Sequence, residues 1–121
     1  MKVLFLDVNK GIPPKLMDIE DNLETFYRLI NCRTIDIVIR SCYGRAFNVI
    51  CDDEGLFTES PLVSAVGRYG LVGNLIFTGL ADEEGNLTDL DPETITAIIL
   101  SMVSVPHPQK GKPHIAIRLD G

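Results

Sequence analysis

Arginine and tyrosine side chains cluster in the middle of the chain, and one asparagine lies in its most apolar stretch. A guanidinium grips phosphate and stacks on rings, and an aromatic side chain stacks on a base. A buried amide must be hydrogen-bonded, so such an asparagine either serves the fold or lines a site. The residues that could bind a nucleotide-like small molecule in this way are Arg40, Tyr43, Arg45 and Asn74. The alternative interpretation is exposed hairpin residues together with a structural amide.

Acidic residues are concentrated between residues 52 and 93. That segment carries ten acids against one base, Arg68, so its net charge is −9, while the rest of the chain is +3 and the total is −6. Such asymmetry predicts an acidic face for a basic protein partner and argues against a nucleic-acid partner. The candidate face comprises Asp82, Glu83, Glu84 and Asp89. The alternative is that these acids only build turns and a helix N-terminus.

No catalytic or metal-binding set can be recognised in the sequence. His107 and His114 are the only histidines, whereas a catalytic zinc needs three protein ligands. The adjacent acids at 52–54 lack the spaced ligands of a calcium loop. Arg40 and Arg45 could lower the pKa of the Cys42 thiol, but no nucleophile motif surrounds it. The sequence therefore predicts no metal and no cofactor, and an enzymatic role is the least favoured of the functions considered.

Length and composition favour a small cytoplasmic domain. The chain has 121 residues, 45% of them apolar, which predicts one domain over residues 1–121 with a core of its own. Asp7 interrupts the first apolar run before it reaches signal-peptide length, and no stretch approaches the ~18 apolar residues of a membrane span. Three cysteines are an odd number and fit no zinc pattern, so we expect free thiols and no membrane partner.

The first third of the chain predicts a hairpin and a helix. KVLFLDV and KLMDI read as two paired strands separated by the loop NKGIPP. The segment DNLETFYRLIN predicts a helix capped by Asp21, with Glu24 completing a capping box and Asn31 at its end. Its apolar stripe recurs at helical spacing and comprises Leu23, Phe26, Tyr27 and Ile30.

The segment TIDIVIRSCYGRAFNVICDD predicts a second hairpin, whose register depends on the loop. A two-residue loop would place Ile37 opposite Ile50. A three-residue loop over residues 43–45 would place Ile37 opposite Cys51 and gather the apolar side chains of both strands on one face. We favour the three-residue loop, which turns Cys51 into the core and Cys42 outward.

The segment LVGNLIFTGLA is predicted to form one central strand, because apolar residues occur on both of its faces. Either a helix or a second subunit must cover each face, so a homodimer remains open. The preceding segment, FTESPLVSAVGRYG, is predicted to be irregular, with a helical turn near residues 61–65.

The second helix has the clearest start in the chain, with Asp91 as its cap and Pro92 as its first residue. Its predicted buried stripe comprises Ile95, Ile98, Ile99, Met102 and Val103. Residues 106–113 are predicted to be a loop before a final strand, HIAIRL. These elements predict an α+β fold, with a mixed or mostly antiparallel sheet of about five to six strands and two amphipathic helices.

Two longer stretches carry a family resemblance. FNVICDDEGLFTESP and LVGNLIFTGLADEEGNLTDLDPETI, with the opening strand and the short helix, resemble domain-of-unknown-function family 3846 over residues 2–100. The resemblance implies a small bacterial protein of Firmicutes, their phages or their conjugative elements. It supplies no active-site residue, because these motifs carry no known chemistry.

The function expected from these observations is that of an accessory protein of a mobile element or phage, acting by binding another protein without catalysis. The alternative is a protein that binds or sequesters a nucleotide-like small molecule.

Overall fold

The computed structural model describes residues 1–7, 10, 13–53, 63–66, 69–106 and 113–117, with the backbone alone at 63–66, 69–72, 103–106 and 113–116. Within these residues there are two helices, α1 (Leu23–Ile30) and α2 (Pro92–Ser101). The strands are β1 (Lys2–Leu6), β2 (Lys15–Asp18), β3 (Ile35–Cys42), β4 (Arg45–Asp52), β5 (Val63–Val66), β6 (Tyr69–Val72), β7 (Leu75–Thr78), β8 (Met102–Pro106) and β9 (Pro113–Ile117). The α+β class predicted from the sequence is confirmed.

The first sheet has the strand order β2-β1-β7-β4-β3, and every neighbouring pair is antiparallel. The predicted pairing of the first two strands is confirmed, with Leu4 opposite Leu16. β7 lies at the centre of the sheet and all of its residues are buried, as predicted for a central strand. β2 and β3 form the two edges of this sheet.

The two faces of the first sheet carry separate apolar clusters, because side chains alternate along each strand. α1 covers one face and contributes Phe26 and Ile30 to a cluster with Val3, Ile50 and Ile76. α2 covers the other face and contributes Ile98 to a larger cluster that includes Leu4, Phe47, Val49, Phe77 and Ile117. Each such side chain stabilises the fold by roughly 1.5–3 kcal/mol through its removal from water.

The favoured register of the β3–β4 hairpin is wrong. The structure has a two-residue loop, Tyr43 and Gly44, and places Ile37 opposite Ile50. Both loop residues have positive φ, 50° and 73°. This is the type I′ conformation, whose twist matches that of the paired strands.

The correct register also reverses the predicted burial of β3. Cys42 was expected to point outward, but it is only 1% exposed and lies in the same cluster as Cys51. Val38, on the same face as Cys42, packs against that cluster. Ile39, expected in the core, is 65% exposed, because the α1 cluster reaches β4 at Ile50 and extends no further along β3 than Ile35.

The helices begin and end largely where local signals place them. α2 is capped by Asp91 with Pro92 in its first turn, as predicted. α1 ends at Asn31, whose φ of 62° confirms the left-handed cap, but its N-cap is Asn22 and not Asp21. The side chain of Asn22 accepts a hydrogen bond from the Thr25 N–H at 2.8 Å.

The predicted apolar stripes are only partly buried. In α1, Leu23 is exposed. In α2, Ile98 is buried as predicted, whereas Ile99 is exposed. Met102 is also buried, but Met102 and Val103 belong to β8, so the predicted stripe runs past the end of the helix. Thr94, Ala97 and Ser101 share the buried side. The face of α2 that contacts the sheet is therefore rotated from the face that the apolar spacing predicts.

A second sheet has the strand order β6-β5-β9-β8, with β5 and β9 parallel and the other pairs antiparallel. A helical turn was predicted near residues 61–65; residues 63–66 form β5 instead, and residues 61 and 62 lie outside the described residues. The predicted strand LVGNLIFTGLA is divided between the two sheets at Gly73, which has φ 86°. The final strand is confirmed as β9, and the loop predicted before it falls mostly on residues 107–112, outside the described residues.

Candidate interaction surface

Arg45 ties the β3–β4 hairpin to the start of α2. Its guanidinium lies 3.6 Å from the carboxylate of Asp91 and forms a second ion pair with Glu93. The two-residue loop sets this position, because Arg45 is the first residue after it and stands opposite Cys42. Two acids of the −9 segment are thus paired within the chain. Arg45 serves here as a positioning contact between two elements.

The four residues predicted to bind a small molecule do not meet in one place. Arg40 donates to its neighbour's carbonyl, Ile39 O, at 2.9 Å, and Tyr43 is exposed in the hairpin loop. Asn74 donates to Leu29 O at 3.2 Å, at the last turn of α1. The register of β4 and β7 places Asn74 at the opposite end of β4 from the loop, and eight extended residues span roughly 27 Å. Their role in binding stays a prediction.

The predicted acidic residues lie in two different places. Asp82, Glu83 and Glu84 form a turn, and Asp89 connects the segment before α2 to β1. Asp82 Oδ1 accepts the N–H groups of Glu84 and Asn86, both at 2.9 Å, and so shapes the turn that carries Glu83 and Glu84 to its exposed tip. Asp89 Oδ1 instead accepts the Lys2 N–H at 2.8 Å and fastens the returning segment to β1. These two acids therefore have structural roles in addition to their charge.

A groove of about 590 Å³ lies beside Asp89, between β2 and α2. We call it the β2–α2 groove. Leu16 forms one wall and is 58% exposed, although it stands opposite the buried Leu4. Leu90, which is buried, contributes apolar surface from below. The residues that line the groove are Lys2, Leu16, Asp89, Leu90, Asp91, Pro92, Ile95 and Thr96.

Carboxylates lie at the rim of the groove, and two of them have cationic partners within the chain: Asp18 pairs with the Met1 ammonium and Asp91 pairs with Arg45. Asp18 stands opposite Lys2 on the same sheet face as Leu16, and the Met1 ammonium donates to its Oδ1 at 2.8 Å. That hydrogen bond holds the pKa of the Asp18 carboxyl below its usual range. Hydrogen bonds from Thr94 likewise lower the pKa of Asp91. Both carboxylates are ionised at neutral pH and lie at either side of an apolar depression.

The apolar wall continues along α2 beyond the groove. Leu100 lies one turn after Thr96 on the same side of the helix and is 68% exposed. Ile99, beside it, is also exposed. This surface was not predicted, although the sequence carries one signal for it: apolar residues occur on nearly all sides of α2, which is typical of a helix that contacts something on more than one face.

A smaller concavity of about 150 Å³ lies at the other end of β1 and β2. It is lined by Phe5, Asp7, Lys10, Pro13, Lys15 and Met17. Sites for drug-sized ligands usually enclose roughly 300–1,000 Å³, so this space is too small for a nucleotide. Lys10 and Lys15 supply positive charge there but do not enlarge the space.

Cys42 and Cys51 are buried and Cys32 is half-buried. Burial raises the pKa of the Cys32 thiol to about 11 and that of the Cys51 thiol to about 11. Cys42 is buried beneath α2, so its predicted exposure to a reaction partner is wrong. Among the residues that the structure describes, no three histidine, cysteine, aspartate or glutamate side chains converge as metal ligands.

An antiparallel five-stranded sheet with one helix on each face, joined to a mixed second sheet, defines a small α+β domain. The family described as Domain of unknown function (DUF3846) matches residues 1–103, so the chain belongs to that family. No curated protein and no solved structure matches the chain. Neither helix of the described residues is long and apolar enough to cross a membrane.

Proposed function

We propose that this chain is a non-enzymatic protein-interaction module that binds a basic, amphipathic segment of a partner protein in the β2–α2 groove. One observation carries the proposal: the groove leaves Leu16 exposed beside the carboxylates of Asp18, Asp89 and Asp91. An apolar depression whose border carries several carboxylates fits a partner with apolar and basic side chains.

The apolar part would supply most of the affinity. Burying a leucine side chain contributes roughly 1.5–3 kcal/mol, and Leu16 and Leu100 are both more than half exposed. Leu100 lies one helical turn beyond the groove, so a partner segment of a few turns would reach both leucines.

The carboxylates would supply orientation and speed. Charge complementarity raises the association rate and fixes the direction of a bound segment more than it raises affinity. Among the described residues that line the groove, Lys2 is basic and Asp89 and Asp91 are acidic. Asp18 pairs with the Met1 ammonium and Asp91 with Arg45, so Asp89 is the carboxylate of this set for which the described residues show no ion pair. A partner with lysine or arginine beside its apolar residues is therefore favoured over an acidic one.

The cellular setting that we propose is the cytoplasm of a bacterium, where the chain serves a mobile element or phage as an accessory protein. The family resemblance supports the mobile element, and the three free cysteines support a reducing compartment.

The proposal can be tested with a fluorescent synthetic helix of leucine and lysine, compared with the same helix carrying glutamate for lysine. Anisotropy titrations should show binding of the lysine helix only. The groove variant Asp18→Asn/Asp89→Asn should bind it roughly 5- to 10-fold more weakly at low salt, with a smaller difference at high salt. Asparagine at position 89 keeps an acceptor for the Lys2 N–H.

The matched control is Glu83→Gln/Glu84→Gln, which removes the same charge from the tip of the turn and should bind within about twofold of the wild type. Leu16→Ser should weaken binding at all salt concentrations. If the lysine helix does not bind, the proposed function fails. If the tip variant loses as much affinity as the groove variant, the partner recognises the turn acids and the groove assignment fails.

A further inference from the structure

Among the strands that the structure describes, β3 is an open edge of the first sheet with few of the features that usually protect such edges. It has eight residues, IDIVIRSC, with no proline and no lysine, and its pairing with β4 is continuous without a bulge. The opposite edge, β2, has four residues, begins with Lys15 and follows Pro13 and Pro14. Short length, lysine and proline prevent an edge from pairing with another chain, so only the β2 edge is protected in this way.

The hairpin loop determines which backbone groups of β3 face the open edge. In a two-residue loop the closing pair, Cys42 and Arg45, is hydrogen-bonded, and hydrogen-bonded pairs then alternate along the strands. Even-numbered residues of β3 therefore direct their N–H and C=O groups to β4. The Thr34 carbonyl obeys the same parity, accepting the Asp53 N–H at 3.2 Å. Ile35, Ile37, Ile39 and Ser41 present theirs to the open edge.

Two side chains of β3 occupy these edge groups in the single chain. Asp36 Oδ1 accepts the Ile37 N–H at 2.9 Å, and Arg40 Nη1 donates to the Ile39 carbonyl at 2.9 Å. The Asp36 carboxylate thus occupies the Ile37 N–H, which is an edge donor. The Arg40 guanidinium occupies the Ile39 carbonyl, which is an edge acceptor. Both caps are exposed hydrogen bonds that a partner strand can replace.

The side chains on one face of this edge are apolar and uncovered. Ile37 is 42% exposed and Ile39 is 65% exposed, on the face that α1 covers further inward. On the other face Asp36 and Arg40 flank Val38 symmetrically, two residues to either side.

We propose that β3 pairs antiparallel with β3 of a second copy of this chain, about a two-fold axis at Val38. In this register Asp36 stands opposite Arg40 of the second copy, and Arg40 opposite its Asp36. The outward-facing Ile37 forms a hydrogen-bonded pair with Ile39 of the second copy, as the backbone parity requires. The two side-chain caps are exchanged for strand hydrogen bonds, and the released carboxylate and guanidinium meet each other.

The charge pattern selects a second copy as the occupant and selects this register. A two-fold axis at any other residue of β3 separates Asp36 from Arg40 of the second copy, because only pairing about Val38 brings positions 36 and 40 together. Pairs of even-numbered residues across the axis are not hydrogen-bonded to each other, so their side chains approach closely. Opposite charges in that position attract and like charges repel.

The interface would be small, because it consists of one strand and two isoleucines from each copy. Interfaces below about 1,200 Å² belong to weak or transient complexes, so we expect an equilibrium between monomer and dimer. β3 and the β2–α2 groove lie at opposite edges of the sheet, so the dimer would present two grooves pointing away from each other.

Sedimentation velocity of the whole chain up to about 0.5 mM tests the pairing, because a micromolar to sub-millimolar equilibrium is resolved in that range. Asp36→Arg or Arg40→Asp alone creates two like-charge pairs and should weaken dimerisation at least about tenfold. The exchanged variant Asp36→Arg/Arg40→Asp restores both pairs and should return to within about threefold of the wild type. Circular dichroism of each variant confirms that it is folded.

A cross-link tests the register independently. In a Cys32→Ser background, Val38→Cys should oxidise rapidly to a disulfide-linked dimer, since opposed residues of this kind have Cα atoms about 4.5 Å apart, within the range of disulfides. Ile39→Cys is the control: position 39 is more exposed but stands opposite position 37 of the second copy, so it should link much more slowly.

A wild-type chain that remains monomeric at the highest concentration overturns the proposal. A dimer that both single charge variants leave intact, or one that the exchange fails to restore, overturns it as well. Faster cross-linking at position 39 than at position 38 would overturn the register. None of these outcomes depends on peptide binding in the groove.

Discussion

The guanidinium of Arg45 lies 3.6 Å from the carboxylate of Asp91, so the first residue after the hairpin loop contacts the residue that caps α2. The same guanidinium pairs with Glu93 in the first turn of the helix. The first sheet and its covering helix are thereby joined at one end by charge as well as by apolar packing.

Replacing Arg45 with glutamine should lower the free energy of unfolding by less than about 1 kcal/mol, because both partners of the pair are substantially exposed to water. The loss should shrink at 0.5 M salt. Urea unfolding at two salt concentrations measures it. Arg33→Gln removes the same charge from an exposed position after α1 and is the control. A loss of several kcal/mol, or one that salt does not change, would contradict this view of the pair.

Asp91 should make stability depend on pH in the acid range. Hydrogen bonds from Thr94 lower the pKa of the carboxyl in the folded state, so its contribution is present above the unfolded pKa of roughly 3.9. It is lost as the pH falls through the lower folded pKa. Asp91→Ala should cost about 1 kcal/mol at pH 7, as is typical of an N-cap.

Unfolding curves of the wild type and of Asp91→Ala from pH 7 to pH 2 test this. The difference between them should narrow below about pH 4. A difference that stays constant over the whole range would mean that the charge of Asp91 contributes nothing.

Gly79 should tolerate no side chain. A Cβ atom built there overlaps the carbonyl oxygen of Asp89 and the hydroxyl of Thr88. Gly79→Ala should therefore destabilise the protein by roughly 1–3 kcal/mol, as overpacking does. The same substitution in a Thr88→Ala background should recover only part of the loss, since the backbone overlap remains. Full recovery would show that the hydroxyl alone is responsible.

The thiols should react slowly while the protein is folded. A pKa of about 11 for Cys32 and for Cys51 reduces the thiolate at pH 8 by roughly two orders of magnitude relative to a free cysteine. Cys42 is sheltered by burial. Labelling with a disulfide reagent should be slow in buffer and complete in guanidinium. Cys32, the least buried, should react first, and Cys32→Ser should remove that phase. A rapid phase in the folded protein would contradict these environments.

Local signals predicted those parts of the fold that depend on neighbouring residues. The Asp91-Pro92 start of α2 and the left-handed Asn31 cap are set by residues within one turn, and both are confirmed. The two-residue hairpin loop was not favoured, because the three-residue loop gathers the apolar side chains of both strands on one face. The structure instead has positive φ at Tyr43 and leaves Ile39 exposed. The division at Gly73 was missed because apolar residues continue on both sides of it.

The groove could not be predicted from the sequence for a different reason. Its walls come from Leu16 and from Ile95 and Thr96, which are distant in sequence and meet only because β2 pairs with β1 beneath α2. Residue type did not predict burial either. Leu16 and Leu4 are both leucines on the same sheet face, yet Leu16 is exposed and Leu4 is buried. Of the candidate acids, only Asp89 lines the groove.

The place of β9 in the second sheet imposes an order on biosynthesis. All strands of the first sheet are complete by Thr78, so its ladder can close while later codons are still being read. The second sheet has no such freedom, because β9 separates β5 from β8 and pairs with both. Until the ribosome has released residue 117, the β5–β6 hairpin has one unpaired flank. Nascent chains would then pass through a stage in which the first sheet is fully paired and the second sheet still lacks β9. β9 lies outside residues 1–103, the part that the family matches.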